Sequence, residues 1–477
     1  MRQSVPKFRL FAAAMASGGT RSASAAHDPS SALTLLAMSL GYGVVQLDVT
    51  IVNTALDRIG ASLGGGVSEL QWIVSAYTIA FAAFILTAGA LGDRFGAKRM
   101  FIAGFAIFTS ASLVCALAGG AIVLIAARAM QGLGAAVLVP NSLALLSHAY
   151  PDARRRGRAV GIWAAGASLA LTAGPLAGGL LIAFVGWRSI FLVNLPIGIA
   201  GLWLSWRYAT ETAQNRRREI DLPGQIAAIG ALGCLAGAII EAGVLGWSNG
   251  FVVAGFAIAV ALVALFVMQE RRSPHPMLPL SFFAQPVFTF TALVGLMVNI
   301  AFYGLIFVFS LLWQERDGYS ALRAGLAFLP MTAAVLATNV ASGRVAALIG
   351  TRPVILTGLA GMAAGCAGLL FAGPGTPFAQ IVGQLVLLGG GIGLLVPPMP
   401  STVMGSVDRS RSGVASGTLN TMRQAGSVLG VAVFGSLIAA RGHFTRGFHV
   451  SLVIALAVIC VAAGLTAAIT PASANEP

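Results

Sequence analysis

Fourteen apolar stretches follow one another through this chain, at 32–54, 70–92, 99–118, 120–146, 159–183, 190–208, 225–246, 250–269, 287–312, 323–348, 353–373, 376–400, 412–440 and 449–470. About twenty apolar residues are what a helix needs to cross the hydrocarbon core of a bilayer. Repeated fourteen times, that requirement leaves no room for a water-soluble domain. The composition agrees, with 57% of the 477 residues hydrophobic and 9% charged, where soluble domains carry about 25% charged residues. The expected fold is an all-α membrane protein with 14 transmembrane helices, and its first partner is the lipid bilayer.

The charge balance, 29 cations against 15 acids, would suggest nucleic acid in a soluble protein. Here the arginines sit in short loops between apolar stretches, as membrane topology requires, and no nucleic-acid partner is expected. With the amino terminus inside, 21 cations fall on the inner side, including Arg94, Lys98, Arg99, Arg154 to Arg156, Arg158, Arg216 to Arg218, Arg409 and Arg411. Six fall outside: Arg58, Arg188, Arg316, Arg323, Arg441 and Arg446. This asymmetry predicts a multi-pass protein with both termini cytoplasmic, and arginine outnumbering lysine 27 to 2 hints at a GC-rich bacterial genome, so the expected location is a bacterial cytoplasmic (inner) membrane. Residues 1–31 mimic a signal peptide through the short apolar run Leu10 to Ala16, but are read as a cytoplasmic tail, with Met1 or Met15 as the start.

Only two of the cations are lysines and no GxxxxGK[ST] occurs, so nothing points to ATP as an energy source. Cys115, Cys234, Cys366 and Cys460 lie in apolar stretches without CxxC spacing and read as small core residues. The five histidines form no ligand cluster. No metal, no cofactor and no enzymatic activity are expected.

The chain also repeats itself weakly. Gly132, Gly134, Leu138, Val139 and Pro140 recur as Gly389, Gly391, Leu395, Val396 and Pro397. Ala173, Gly174 and Gly178 recur as Ala425, Gly426 and Gly430, and Gly89 and Gly96 as Gly343 and Gly350. Similar offsets, in chain order, predict a duplicated bundle: six helices over 32–208, six over 287–470, loops and two inserted central spans over 209–286, and a tail at 471–477.

Four segments carry chemistry. Gly89-Ala-Leu-Gly-Asp-Arg-Phe-Gly-Ala-Lys-Arg99 resembles the GxLxDRxGxKR signature of the major facilitator superfamily. Gly89 and Gly92 permit close helix approach and Gly96 a tight turn. The resemblance implies a cytoplasmic latch between the two halves built from these glycines with Asp93, Arg94, Lys98 and Arg99. In the second copy Ala347 replaces the aspartate, so a latch from that side is weaker. Arg128-Ala-Met-Gln-Gly-Leu-Gly-Ala-Ala136 resembles the superfamily's RxxQGxGxA element. An arginine inside an apolar helix costs about 2.5–3.5 kcal/mol at the bilayer centre, so Arg128 must face the protein interior or water.

Leu47-Asp-Val-Thr-Ile-Val-Asn-Thr-Ala-Leu56 resembles an element of the fourteen-span drug:proton antiporters, with Asp57 where that pattern has proline. Burial favours a protonated acid and a nearby cation favours the carboxylate. Asp48 can therefore change protonation as the distance to Arg128 changes, which makes the pair the candidate for proton coupling. Gly166-Ala-Ser-Leu-Ala-Leu-Thr-Ala-Gly-Pro-Leu-Ala-Gly-Gly179 resembles the motif that marks exporters, and predicts a kinked hinge from Gly166, Gly174, Pro175, Gly178 and Gly179. Trp187-Arg-Ser-Ile-Phe-Leu-Val-Asn-Leu-Pro196 is similar to the WRxIFxxNxP stretch of the same fourteen-span group.

The resemblance implies a proton-coupled exporter of drugs, antibiotics or other small hydrophobic or cationic molecules, with the proton gradient as energy source. A dedicated exporter of one self-made metabolite and a proton-symporting importer are the alternatives. Tyr77, Gln131, Asn141, Trp163, Tyr303 and Arg423 are candidates for the substrate cavity, with Trp72 and Phe302 as further aromatics. Arg423 would meet water, carbonyls or an anionic group on the substrate, and Glu241 reads as interfacial. A periplasmic accessory protein is a partner that the residues leave open.

Overall fold

The structure, a computed structural model, describes residues 29–214, 221–273, 276–373, 376–408, 411–439 and 444–468. The amino-terminal tail with Met15, Arg216 to Arg218, Arg409, Arg441, His27, His275, His443 and the carboxy-terminal tail lie outside the described residues. Fourteen helices are long and apolar enough to cross a membrane, and no strand occurs among the described residues. In chain order they are α1 (Ser30–Leu63), α2 (Val67–Phe95), α3 (Ala97–Leu117), α4 (Ala121–Ala149), α5 (Arg154–Phe184), α6 (Ser189–Tyr208) and α7 (Leu222–Leu245). The rest are α8 (Gly250–Arg272), α9 (Pro286–Arg316), α10 (Ala321–Ile349), α11 (Thr351–Leu369), α12 (Phe378–Gly405), α13 (Gly413–Ala439) and α14 (Phe444–Ala468). Polar side chains start several of them. Asp152, Asp221, Asn249 and Ser320 each accept a backbone N–H from the first turn, which satisfies one of the four donors a helix leaves free there.

Packing repeats as the sequence does. In the first half α1 lies on α5 and α6, α4 on α2 and α3, and α3 on α6. In the second half α9 lies on α13 and α14, α12 on α10 and α11, and α11 on α14. The duplicated glycines make the same contacts in both copies. A Cβ on Gly132 would enter the Tyr77 carbonyl of α2, and one on Gly389 the Met331 carbonyl of α10. Gly134 meets α3 at Phe108, and Gly391 meets α11 at Gly358. Gly174 and Gly178 press on α1, Gly426 and Gly430 on α9. Gly96 and Gly350 end α2 and α10 at φ of 102° and 89°, a region that any Cβ makes costly. Small residues are what allow such approach in a bilayer, where lipid tails give helices little hydrophobic reason to associate.

Two helix pairs form the seam between the halves, α2 with α13 and α5 with α10, the pairs that a twofold relation of the copies exchanges. Gln71 Nε2 on α2 donates to the carbonyls of Val431 and Ala432 on α13, both at 3.0 Å. Thr172 on α5 and Thr332 on α10 each donate to the other's carbonyl, at 3.0 and 3.5 Å. Where α5 finishes and α10 begins, Gly179 faces Leu322 Cα and Gly325 faces the Pro175 carbonyl. At the same end Ser310 and Gln314 of α9 donate to the Asn53 carbonyl of α1. Towards the other end of α5 and α10 the seam loosens. A Cβ on Gly157, Gly161 or Gly343 would meet nothing within 4 Å.

The inserted pair is asymmetric. α7 packs on α2 and α13, straddling the seam, while α8 packs mainly on α7. Only 11% of the most apolar window of α8 is buried within the protein, so this helix faces lipid. One reading from sequence needs correction. Cys115 and Cys366 are buried, but Cys234 is half-buried and Cys460 exposed; in a membrane an apolar residue gains nothing from facing inwards. Glu241, read as interfacial, has a structural role. Its Oε1 accepts from Ser68 Oγ and Trp72 Nε1, both at 3.0 Å, and so ties α7 to α2. The indole N–H of Trp72, one of the aromatics weighed for the cavity, is engaged in that tie.

Candidate functional site

Two charges lie fully inside the first half. Asp48 on α1 and Arg128 on α4 are 0% and 1% exposed. Arg128 Nη1 donates to Asp48 Oδ2 and, at 2.9 Å, to Gln131 Oε1. Its Nε donates to the Ile73 carbonyl at 3.2 Å, and its guanidinium lies 4.4 Å from the centre of the Tyr77 ring. The other aspartate oxygen, Oδ1, accepts from Gln131 Nε2 at 3.3 Å and Asn194 Nδ2 at 3.2 Å. Ser112 on α3 closes the network by accepting from Gln131 Nε2 at 2.7 Å. Burial of a lone charge costs several kcal/mol, and a buried pair persists only where further hydrogen bonds satisfy the remaining donors and acceptors. Gln131, Asn194 and Ser112 supply them.

Local sequence places each member. Gln131 stands one turn from Arg128 on the same face of α4. Asn194 is presented by a break in α6, which divides into Ser189–Leu192 and Asn194–Tyr208, with Pro196 unable to continue the hydrogen-bond ladder. The second half holds no copy of the pair, since the repeat offset of Gly132 and Gly389 puts the buried Leu385 where Arg128 would be.

The network reaches the seam through Arg128. A cavity of about 10 Å³, room for a single water molecule, is lined by Asn53, Tyr77, Thr78 and Arg128 from one half and by Tyr303, Ser427 and Val431 from the other. The buried acid is thus hydrogen-bonded to a cation that lines a cavity shared by the two bundles.

Pro175 connects the site to α5. Having no N–H, it leaves the Leu171 carbonyl without its helical partner, and Thr50 Oγ1 of α1 donates to that carbonyl at 3.0 Å. Thr50 stands two residues from Asp48. Gly174 and Gly178 seat α5 against Thr50, Ile51 and Thr54, and Gly179 seats it against α10. Gly166 differs: a Cβ there would meet only Ser39 Cβ at 3.8 Å, so no close approach requires a glycine at that position.

Gly92, Gly96, Lys98 and Arg99, at the loop after α2, make contacts within their own half. Gly92 leaves the space that the Asn141 side chain fills, and Asn141 donates to the carbonyls of Ala88 and Val137 at 3.2 and 2.8 Å. Asn141, a cavity candidate from sequence, is thereby seated against α2 beside Gly92. Gly89 makes only an ordinary contact, 3.8 Å from Pro140 to a Cβ at its position. Lys98 Nζ donates to the Trp206 carbonyl at the end of α6, at 3.0 Å. In return Glu211, just past α6, accepts from Lys98 N at 2.9 Å and Arg99 N at 3.2 Å, and its carboxylate crowds Gly96. Thr212 Oγ1 accepts from Ala97 N at 3.0 Å. Arg94 lies over the Phe95 ring at 5.4 Å, and Asp93 is also engaged.

Among the cavity candidates, Gln131 is consumed by the charge network and Tyr77 and Tyr303 line the small cavity. Phe302 is buried and packs edge-on against Tyr303. Trp163 stacks on Tyr42, with ring centres 4.3 Å apart. Arg423 is half-buried on α13, and its Nη1 reaches Asn420 Oδ1 at 3.4 Å.

Two repeated six-helix halves, two inserted helices and an ion pair buried beside the seam define a polytopic membrane protein of the transporter type. The chain belongs to the Major Facilitator Superfamily, whose family model matches residues 38–228 and 224–431. It is 40% identical over 408 residues to the multidrug resistance protein Stp of Mycobacterium tuberculosis, covering 86% of this chain and 76% of that one. It is 34% identical over 440 residues to the methylenomycin A resistance protein of Streptomyces coelicolor, covering 92% of each. The crystal structure of the human organic anion transporter MFSD10 (TETRAN) superposes with a TM-score of 0.63 at 16% identity, covering 91% of this chain and 99% of that chain, a likeness of fold.

Proposed function

We propose that this protein is a proton-coupled secondary transporter that exports drug-like or antibiotic small molecules across a bacterial cytoplasmic membrane by alternating access, with both termini cytoplasmic. The observation that carries the reading is the buried Asp48–Arg128 pair, whose arginine shares a cavity lining with the opposite half. The names of the relatives, resistance proteins for drugs and for a single antibiotic, support export over import. A dedicated exporter of one self-made metabolite is the second reading, favoured by the match to a protein named for one antibiotic over 92% of both chains.

The charge asymmetry assigns the loose end of the α5–α10 seam to the cytoplasm, so the conformation described is closed outside. Substrate enters between the halves from the cytoplasm. When the halves exchange their seam contacts, the outer side opens and a proton reaches Asp48. A neutral Asp48 loses its charge attraction to Arg128, and the guanidinium turns to the Tyr77 and Tyr303 side of the cavity. Thr50 transmits the shift of α1 to the carbonyl freed by Pro175 on α5. Each ligand biases one arrangement only by binding it better than the other.

The test is accumulation of a panel of chemically distinct drugs in cells with and without the gene, with and without an uncoupler. Lower accumulation that depends on the gene and disappears with the uncoupler is expected. Equal accumulation across the panel, or indifference to the uncoupler, would overturn the reading.

A further inference from the structure

A second polar cluster lies one helical turn from the small cavity, towards the side that the charge asymmetry assigns to the cytoplasm. Arg423 sits one turn before Ser427, which lines that cavity and whose Oγ donates to the Arg423 carbonyl at 3.2 Å. Its aliphatic stem lies on α9 at Gly295, where a Cβ would come within 3.0 Å of Arg423 Cγ. The guanidinium makes one long hydrogen bond, to Asn420 Oδ1, and its Nε is buried without a partner. No acid lies within 4 Å of it among the described residues. It is close enough to the phenols of Tyr42 on α1 and Tyr303 on α9 to interact with them electrostatically. Tyr42 in turn stacks on Trp163 of α5, with an interplanar angle of 19°, and the indole Nε1 of Trp163 is buried without a partner.

The unsatisfied groups of this cluster, Arg423 Nε and Trp163 Nε1, are both donors, and its one full charge is positive. Unpaired buried donors call for an acceptor, and an arginine in a partly desolvated site calls for an anion, which it binds through charge-assisted hydrogen bonds. A lipophilic cation would meet no free carboxylate here, because Asp48 is committed to Arg128, Gln131 and Asn194. A planar body would lie against the Tyr42–Trp163 stack.

From the convergence of Arg423, Tyr42 and Trp163 we infer that a vestibule opening between the halves at this level takes planar amphipathic molecules bearing an acidic group, with Arg423 holding the anion and the Tyr42–Trp163 stack holding the ring. The inference rests on the exporter reading and replaces its hydrophobic-cation expectation with an anionic one.

Three probes of similar shape test it on the purified full-length protein by fluorescence titration: 9-anthroate, 9-anthracenemethanol and N-methylacridinium. The acid should bind about tenfold or more tightly than the alcohol, and the cation more weakly than either. Arg423→Gln should remove the preference for the acid and leave the alcohol unchanged, and Arg423→Lys should restore part of it. Trp163→Ala should weaken acid and alcohol alike. Binding of the alcohol serves as the check that each variant is folded. Tighter binding of the cation, an acid-to-alcohol ratio that survives Arg423→Gln, or no binding of the acid by the wild type would overturn the inference. Cation preference together with gradient-driven efflux of the same probes would sink this inference and leave the exporter reading standing. Absence of gradient-driven efflux for every probe, with acid binding intact, would sink the exporter reading instead.

Discussion

Removing one member of the central ion pair should cost far more than removing both. Arg128→Met leaves the carboxylate of Asp48, 0% exposed, with only two long amide hydrogen bonds at 3.3 and 3.2 Å. Stranding one partner of a buried pair costs about 3–5 kcal/mol, whereas replacing both with apolar groups of similar shape is often neutral. Asp48→Asn keeps the shape and the hydrogen bonds to amides but leaves the guanidinium without a counter-charge, so it should fall between. The double variant Asp48→Leu with Arg128→Met should recover most of the loss, giving a coupling energy of about 2–4 kcal/mol in a double-mutant cycle. The assay is the unfolding free energy in mixed micelles titrated with a denaturing detergent. A loss below about 1 kcal/mol for Arg128→Met, the range of exposed pairs, would mean that water already reaches Asp48, and the reasoning from burial would fail.

Three further changes follow from the packing. Gly179→Val places a branched side chain against Leu322 and Ala321 and should pry open the outer end of the α5–α10 seam; a cysteine at Ser310 should then label at least severalfold faster with a membrane-impermeant maleimide, and an unchanged rate would show that this contact does not seal the exit. Thr50→Val removes the donor to the Leu171 carbonyl and should cost about 1–3 kcal/mol as an unsatisfied buried acceptor, whereas Thr50→Ser should cost little; equal losses from both would place the effect in packing. Glu211→Ala strips the acceptor from the first backbone donors of α3 and should cost about 0.5–2 kcal/mol, the range for lost helix caps, with faster hydrogen exchange at Lys98 and Arg99; unchanged exchange there would discard the capping role.

The fourteen spans were legible because the bilayer sets both the length and the composition of each crossing. The repeat was legible because glycines at Gly132, Gly134, Gly174 and Gly178 and their copies serve contacts that no other residue allows. Asp48 and Arg128 stood out because a charge in an apolar run must find a partner. The uncharged members of the same network, Ser112 and Asn194, did not, since such side chains are common in spans; the only signal was the position of Asn194 beside Pro196 in a motif read for its family likeness alone. Glu211 was missed for another reason. It sits in a loop, and nothing in one sequence says which loop folds back onto which helix end. That Asn141 fills the space beside Gly92 and bonds the Ala88 carbonyl was equally illegible, since one sequence does not say which faces of α2 and α4 meet. The two inserted spans read alike, and only three-dimensional packing separates α7, which straddles the seam, from α8, which faces lipid.

Uphill efflux driven by an imposed proton gradient in proteoliposomes, compared between the wild type and Asp48→Asn, tests the central claim most directly. The asparagine variant should still bind substrate and should lose accumulation against the gradient entirely. Undiminished uphill transport by that variant would show that the proton travels by another residue.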